Sequence, residues 1–340
     1  ICWSILKSPK VSKVFCAPGN AGIDSIVNIV NIRLDDLDGL LDFALNEEID
    51  LTIVGPEQPL AIGIVDLFRR NKLLIFGPNQ HSSQLESSKE FSKIFMKKND
   101  IPTANFESFS DFDLAREHIK RSEYPLVVKA DGLAAGKGVR VCYNFEEANE
   151  FLIFIMQDKI FSTSGDKVVI EDFLEGEEAS FFVFTDGKSI LPLDSSQDHK
   201  RLLDGDLGPN TGGMGAYSPA PIINKTLEKK IIDKIVEPTL LALKKRDNPY
   251  NGFLYVGLMI KNNEPYLIEY NIRMGDPECQ VILPRLKTDL VKIIVNSVAN
   301  KLKKIKIKWK KEKSMTIVLC SKGYPGSYKK NKIISNINKL

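Results

Sequence analysis

Three times within its first 80 residues the chain runs an apolar stretch into a Pro/Gly turn: KVFCAPGNAG, DLTIVGPE and LLIFGPN. Between these stretches lie helical patterns, LLDFALNEEI and PLAIGIVDLFRR. Strands that alternate with helices predict a parallel α/β sheet, whose ligand loops lie at the strands' carboxyl ends. Here those ends carry Pro-Gly-Asn, Gly-Pro-Glu and Gly-Pro-Asn. A short helix is expected up to Ser8, and another from Gln84 to Asn99, closed where Pro102 forbids continuation. A second unit follows, with strands at 125–130, 138–143 and 167–172 and a helix near 146–157. A third has strands near 178–185, 189–194, 253–261 and 265–271, divided by a helix from about Lys225 to Lys245. SMTIVLCSKGYPG then starts a further strand and turn.

At 340 residues the chain is too long for one ordinary core, and two or three domains are expected. Apolar and charged fractions of 43% and 27% are those of a globular protein rather than a disordered one. A formal charge of +3 is small for this length and gives no reason to expect wholesale nucleic-acid binding. The eight lysines of KLKKIKIKWKKEK, residues 301 to 313, read as a solvated connector, with a nucleic-acid or membrane patch as the alternative. Cys2, Cys16, Cys142, Cys279 and Cys320 are scattered singly, which fits a reducing compartment and no disulfide framework. No apolar run reaches the ~18 residues of a membrane span. Ile1 in place of methionine suggests a fragment or a processed chain.

Three stretches carry chemistry. In VVKADGLAAGKGVRV, residues 127 to 141, Lys129 follows two buried-strand valines, so its charge needs an anion to offset desolvation. Gly132, Gly136 and Gly138 would let backbone approach that ligand, with Lys137 in the middle of the loop; an ordinary β-hairpin with two surface lysines is the alternative. The spacing fails the Walker A template. VVIEDFLEGEEAS, residues 168 to 180, ends a strand at Glu171 and continues through Phe173 and Leu174, like a hinge that reads an adenine edge. Glu178 lies within reach of a ribose, with plain acidic surface as the alternative. In PYLIEYNIRMGDPECQ the residues Glu269, Asn271 and Arg273 are expected on one strand face, where they would suit Mg²⁺ and phosphate oxygens.

Together these residues resemble the ATP-grasp superfamily, and within it the glycinamide ribonucleotide synthetase family. The motifs that carry the resemblance are APGNAGI (17–23), DLTIVGPEQPLAIGIVD (50–66), FGPN…QLESSKEFSKIFMKKNDIPTA (76–104), VVKADGLAAGKGV (127–139), SSQDHKRLLDGDLGPNTGGMGAYSPAP (195–221) and EYNIRMGDPECQ (269–280). The 195–221 stretch is the most specific, since other ATP-grasp ligases do not share it. The resemblance implies an α/β fold, α+β in its ATP-grasp part: an N-terminal parallel-sheet domain over 1–88, a two-lobe ATP-grasp domain over 89–300 with its small lobe at about 120–177, and the start of an incomplete C-terminal domain over 301–340. The family's first strand and its glycine-rich loop would precede Ile1.

The same resemblance implies a cytoplasmic enzyme, monomeric or weakly dimeric, that uses ATP with Mg²⁺ or Mn²⁺ to ligate glycine to 5-phosphoribosylamine. Lys89 and Lys129 would hold phosphates, with Lys137 and the loop of Gly136 and Gly138 folding over them. Glu171, Phe173, Leu174 and Glu178 would take the nucleoside, and Glu269 and Asn271 the metal. Arg273, Lys137, Asp198 and Lys200 are the catalytic candidates, and Asn20, Glu57, Asp198, Gly212 and Gly213 the substrate candidates. His199 is expected to hydrogen-bond rather than to act as a general base. An ATP-binding but catalytically silent scaffold is the alternative. Intact Glu269, Asn271 and Arg273 argue against it.

Overall fold

The computed structural model describes residues 1–134, 137–205, 207–246 and 248–335. Near the N-terminus, Phe15–Cys16 pairs in parallel with Asn28–Ile29, and Thr52–Ile53 pairs in parallel with Ile75–Phe76. The expected sheet is therefore two separate pairs. Three of these four strands stop after two residues where Pro18, Gly55 or Gly77 follows almost at once, proline because it cannot donate to a ladder and glycine because it weakens a strand. Asn28–Ile29 was not expected: both residues are exposed, so no alternation of apolar and polar side chains announces it.

Two expected helices are broken. PLAIGIVDLFRR divides into Glu57–Ala61 and Ile64–Arg70 at Gly63, whose φ of +96° lies in the left-handed region. The segment after Gln80 divides into Gln80–Ser87 and Lys89–Lys98. At the break Ser88 is extended, and its hydroxyl accepts from the Phe91 amide at 3.1 Å. Leu60, Val65, Phe68, Ile75, Phe95 and Met96 bury the apolar faces of these helices in a core shared with the later sheets.

Two four-stranded sheets follow. The smaller runs Phe106–Phe109, Val168–Asp172, Leu126–Ala130, Val139–Cys142 and is antiparallel throughout, with its own core around Ala115, Val128 and Leu152. The larger runs Ile190–Pro192, Glu177–Asp186, Asn251–Lys261, Glu264–Asn271, also antiparallel. The two middle strands, Glu177–Asp186 and Asn251–Lys261, are buried along most of their length because helix Lys225–Ile231, its π-helical continuation and helix Glu237–Lys244 cover one face, while Leu290–Val298 covers the other. Ser314–Ile317 pairs antiparallel with Gly215–Ser218. In the lysine-rich segment Leu302 and Ile305 enter the core and all eight lysines stay exposed, which is the solvated-connector reading. Among the described residues no helix is long and apolar enough to cross a membrane.

Candidate active site

Between the N-terminal part and the two sheets lies a cavity of about 1140 Å³, more than a single small-molecule ligand requires. Its walls are set by the elements above. Lys129 lies near the end of the buried strand Leu126–Ala130, and its ammonium reaches diagonally to Glu171 Oε1 on the neighbouring strand at 2.8 Å, Glu171 itself pairing with Val127. The other oxygen of Glu171 meets Lys93 Nζ at 2.9 Å, and all three side chains are nearly inaccessible. Burial pulls the Lys93 ammonium down to about 8 against the pull of Glu171. The Glu171 side chain is thus bound to lysines; the strand it ends leads into Phe173 and Leu174, which line the cavity.

Lys89 opens its helix next to the glycine-rich loop. Asp131 fixes that position: its carboxylate accepts from the Glu90 amide at 2.7 Å and from Ser88 Oγ at 3.0 Å, while its carbonyl accepts from the Lys89 amide at 3.0 Å. Lys89 Nζ then reaches the Gly132 carbonyl at 3.2 Å, and burial lowers the affinity of that ammonium for its proton. Gly138 lines the cavity, whereas the exposed Lys137 does not. Gly136 lies outside the described residues.

Glu269 and Asn271 face the cavity from strand Glu264–Asn271. Arg273 does not share their pleat, as the alternation had suggested. The strand ends at Asn271, so Arg273 arrives from the following bend. Two carboxylates aim its guanidinium: Glu86 Oε1 accepts from Nη2 at 2.6 Å and Glu57 Oε2 from Nε at 3.2 Å. Glu86 also accepts from the Ile272 amide at 2.8 Å, and burial pushes its pKa up to about 7 although Arg273 opposes the shift. Glu57, expected on substrate, is here a partner of Arg273 that still lines the cavity.

Lys200 stands 3.2 Å from Glu178 and 3.8 Å from Glu269. Burial alone would weaken its hold on the proton, but Glu178, Asp198 and Glu269 outweigh it and keep the ammonium charged. Burial likewise acts to raise Glu269, yet Lys200, Lys129, Lys89 and Arg273 together hold its carboxyl below the ordinary range. Asp198 is raised, by burial first and by the neighbouring carboxylates next. Among the described residues no three His, Cys, Asp or Glu side chains cluster as a metal site. Glu269 and Asn271 supply two hard oxygen donors, an arrangement that fits a divalent ion whose remaining ligands are phosphate oxygens and water.

Of the other candidates, Asn20 lines the cavity and braces its own turn by accepting from the Gly22 amide at 2.9 Å. Gly212 lines it too, with its amide donating to Tyr324 OH. Gly213 is not brought to the cavity: its φ of +112° turns it into the interior against Pro277. His199 is exposed beside Tyr217 and lies off the cavity wall. Sequence reasoning missed Lys93, Glu86 and Glu278. Lys93 and Glu86 had a readable signal, being four residues after and three before Lys89. Glu278, 3% exposed in a Gly-Asp-Pro-Glu turn, had none.

Residues 1–86 match the family model described as phosphoribosylglycinamide synthetase, N domain, and residues 87–279 match the ATP-grasp (A) domain of the same description. The chain is 46% identical over 340 residues to the phosphoribosylamine–glycine ligase of Vibrio cholerae, covering 99% of this chain and 79% of that protein. It is 47% identical over 339 residues to that of Neisseria meningitidis serogroup B, with 99% and 80% covered. The crystal structure of phosphoribosylamine–glycine ligase from Thermotoga maritima superposes with a TM-score of 0.82 at 34% identity, over 96% of this chain and 79% of that one. Biotin carboxylase from Campylobacter jejuni superposes with a TM-score of 0.69 at 15% identity, covering 92% and 71%, which is a likeness of fold.

Proposed function

The chain belongs to the phosphoribosylglycinamide synthetase family, and from that premise we propose how its cavity carries out the ligation. The enzyme is an ATP-dependent carbon–nitrogen ligase of purine biosynthesis: it joins glycine to 5-phosphoribosylamine and forms glycinamide ribonucleotide, ADP and phosphate. A carboxylate resists attack by an amine until one of its oxygens becomes a leaving group. A glycine carboxylate oxygen therefore attacks the γ-phosphorus of ATP, the bond to the β-phosphate oxygen breaks, and ADP leaves. The ribosylamine nitrogen then attacks the acyl carbon of glycyl phosphate, loses a proton, and phosphate departs.

Neither step needs a covalent nucleophile from the protein, so the work of the side chains is positioning and charge neutralisation. Lys129 and Lys89 hold the phosphates. Lys93 and Glu171 fix Lys129, and Phe173, Leu174 and Glu178 take the nucleoside. Glu269 and Asn271 hold Mg²⁺ or Mn²⁺, which would draw charge from the phosphate oxygens when bound. Arg273, aimed by Glu86 and Glu57, meets the transferring phosphoryl group, and Asp198 and Lys200 lie on the glycine side. Gly138 and Lys137 close from the glycine-rich loop, while Asn20 and Gly212 face the ribosylamine end. The domain layout that serves this chemistry is 1–88, 89–300 and the segment from 301.

The observation that carries this reading is that Lys89, Lys129, Lys200 and Arg273 line one cavity with Glu269 and Asn271, where their charge holds the Glu269 carboxyl below the ordinary range. Hydroxylamine in place of the ribosylamine tests it. With ATP, a divalent ion and glycine, the enzyme should form glycine hydroxamate and ADP in equal amounts. Hydroxamate-free turnover would rule out the acyl phosphate.

A further inference from the structure

Glu278 follows the bend that carries Arg273, opens onto the same cavity, and has no place in the scheme above. Its side chain is 3% exposed. One oxygen accepts from Ser180 Oγ at 3.2 Å, and Ser180 in turn meets Tyr255 OH at 3.1 Å, so the carboxylate is anchored. Its backbone is anchored too, its carbonyl accepting from the Ile282 amide at 3.0 Å. Among the described residues no cation lies within ion-pair distance of it, whereas Glu171, Glu269 and Glu86 in the same cavity each have one or two such partners. Gly275 makes room for the carboxylate, since a Cβ there would collide with its second oxygen. Asp198 is close enough to act on Glu278 electrostatically, and Lys200, the nearest ammonium that does so, is drawn instead to Glu178 and Glu269.

A buried carboxylate without a countercharge is costly, and a ligand that brings one removes the cost. We propose that Glu278, with Asp198 beside it, is the pocket for the α-ammonium group of glycine, an assignment that rests on the ligase reading above. It gives the site two properties. The ammonium is held away from Arg273 and the phosphates, so the glycine carboxylate is the end presented to ATP. The amine of the bound glycine also stays protonated, so it is not itself a nucleophile while its carboxyl group is activated.

The test is Glu278→Gln in the full chain, read by ADP release at fixed Mg²⁺ATP and 5-phosphoribosylamine. Glutamine keeps the shape and removes a buried charge, so the thermal midpoint should hold or rise. The KM for glycine should increase by about tenfold to a hundredfold, the range for one charge-assisted contact, with the KM for ATP unchanged. Glycolate, which carries a hydroxyl in place of the ammonium, adds a second readout: wild type should reject it strongly, and the variant should lose most of that preference. An unchanged KM for glycine in a folded variant overturns the ammonium pocket and leaves the ligase reading standing. So does a shift confined to ATP or to the ribosylamine. A wild type that releases no ADP in response to glycine overturns both.

Discussion

Lys129 and Lys93 hold opposite oxygens of one carboxylate, so this buried trio carries one positive charge more than it neutralises. That surplus sits where the strand delivers Lys129 to the cavity, and it is the polyphosphate of ATP that can use it. Glu269 is the converse case, one carboxylate facing Lys200, Lys129, Lys89 and Arg273. Its ionisation is secured well below neutral pH, which is what a metal ligand needs, since a protonated carboxyl is a poor donor to a hard cation. Glu269→Gln should therefore raise the Mg²⁺ concentration needed for half-maximal ADP release by about tenfold or more, because a neutral amide replaces one of two protein donors. The fold should survive, glutamine being of equal size. A Mg²⁺ titration superimposable on wild type would remove Glu269 from the metal site.

The break between helices Gln80–Ser87 and Lys89–Lys98 shows how an element positions chemistry. Ser88 caps the second helix, and Asp131 ties that cap to the glycine-rich loop of the other sheet, so Lys89 points at the Gly132 carbonyl and the cavity. Ser88→Ala should cost about 1 kcal/mol of stability, as lost caps do, and should also raise the KM for ATP, because the first turn that aims Lys89 is loosened. Urea denaturation and steady-state kinetics separate the two effects; lower stability with unchanged nucleotide affinity would make the cap structural only. Much of this architecture was legible in advance. The five strands of five residues or more followed from apolar runs bounded by turn residues, and Lys129, Glu269 and Asn271 from polar side chains set on those strands, whereas Phe106–Phe109 was not foreseen. The helix break was hidden because serine is tolerated within a helix and its capping partner, Asp131, lies 43 residues away. Arg273 was placed in the right cavity for the wrong reason, since a period of two does not show that the strand ends at Asn271. Glu278 was invisible because its burial depends on Ser180 and Tyr255, brought in from other strands.

Across the whole molecule, the cavity joins parts far apart in sequence, and two of its carboxylates record that assembly in their proton affinity. Glu86, from the N-terminal part, and Glu278, beyond the last long strand, are both pushed by burial to about 7 from an ordinary value of 4.5. Between those two values the folded chain keeps protons that the unfolded chain has released. Their contribution to stability is therefore fully present below pH 4.5 and is lost as pH rises through 7, at up to about 1.4 kcal/mol per pH unit for each group. Glu86→Gln removes one of the two titrations and leaves every other group in place, so the difference between wild type and variant isolates it. Urea midpoints measured at pH 5, 6, 7 and 8 should show the variant gaining on wild type steadily up to pH 7 and then running parallel to it. The cumulative change should approach about 3 kcal/mol, set by a shift of some 2.5 pKa units. Arg273 favours the ionised form of Glu86, and its pull is already contained in the value of about 7, so losing that partner shifts the two curves by a pH-independent amount and leaves their trend unchanged. Curves that stay parallel from pH 5 to 8 would mean that Glu86 is already ionised throughout and that Arg273, not burial, controls its charge.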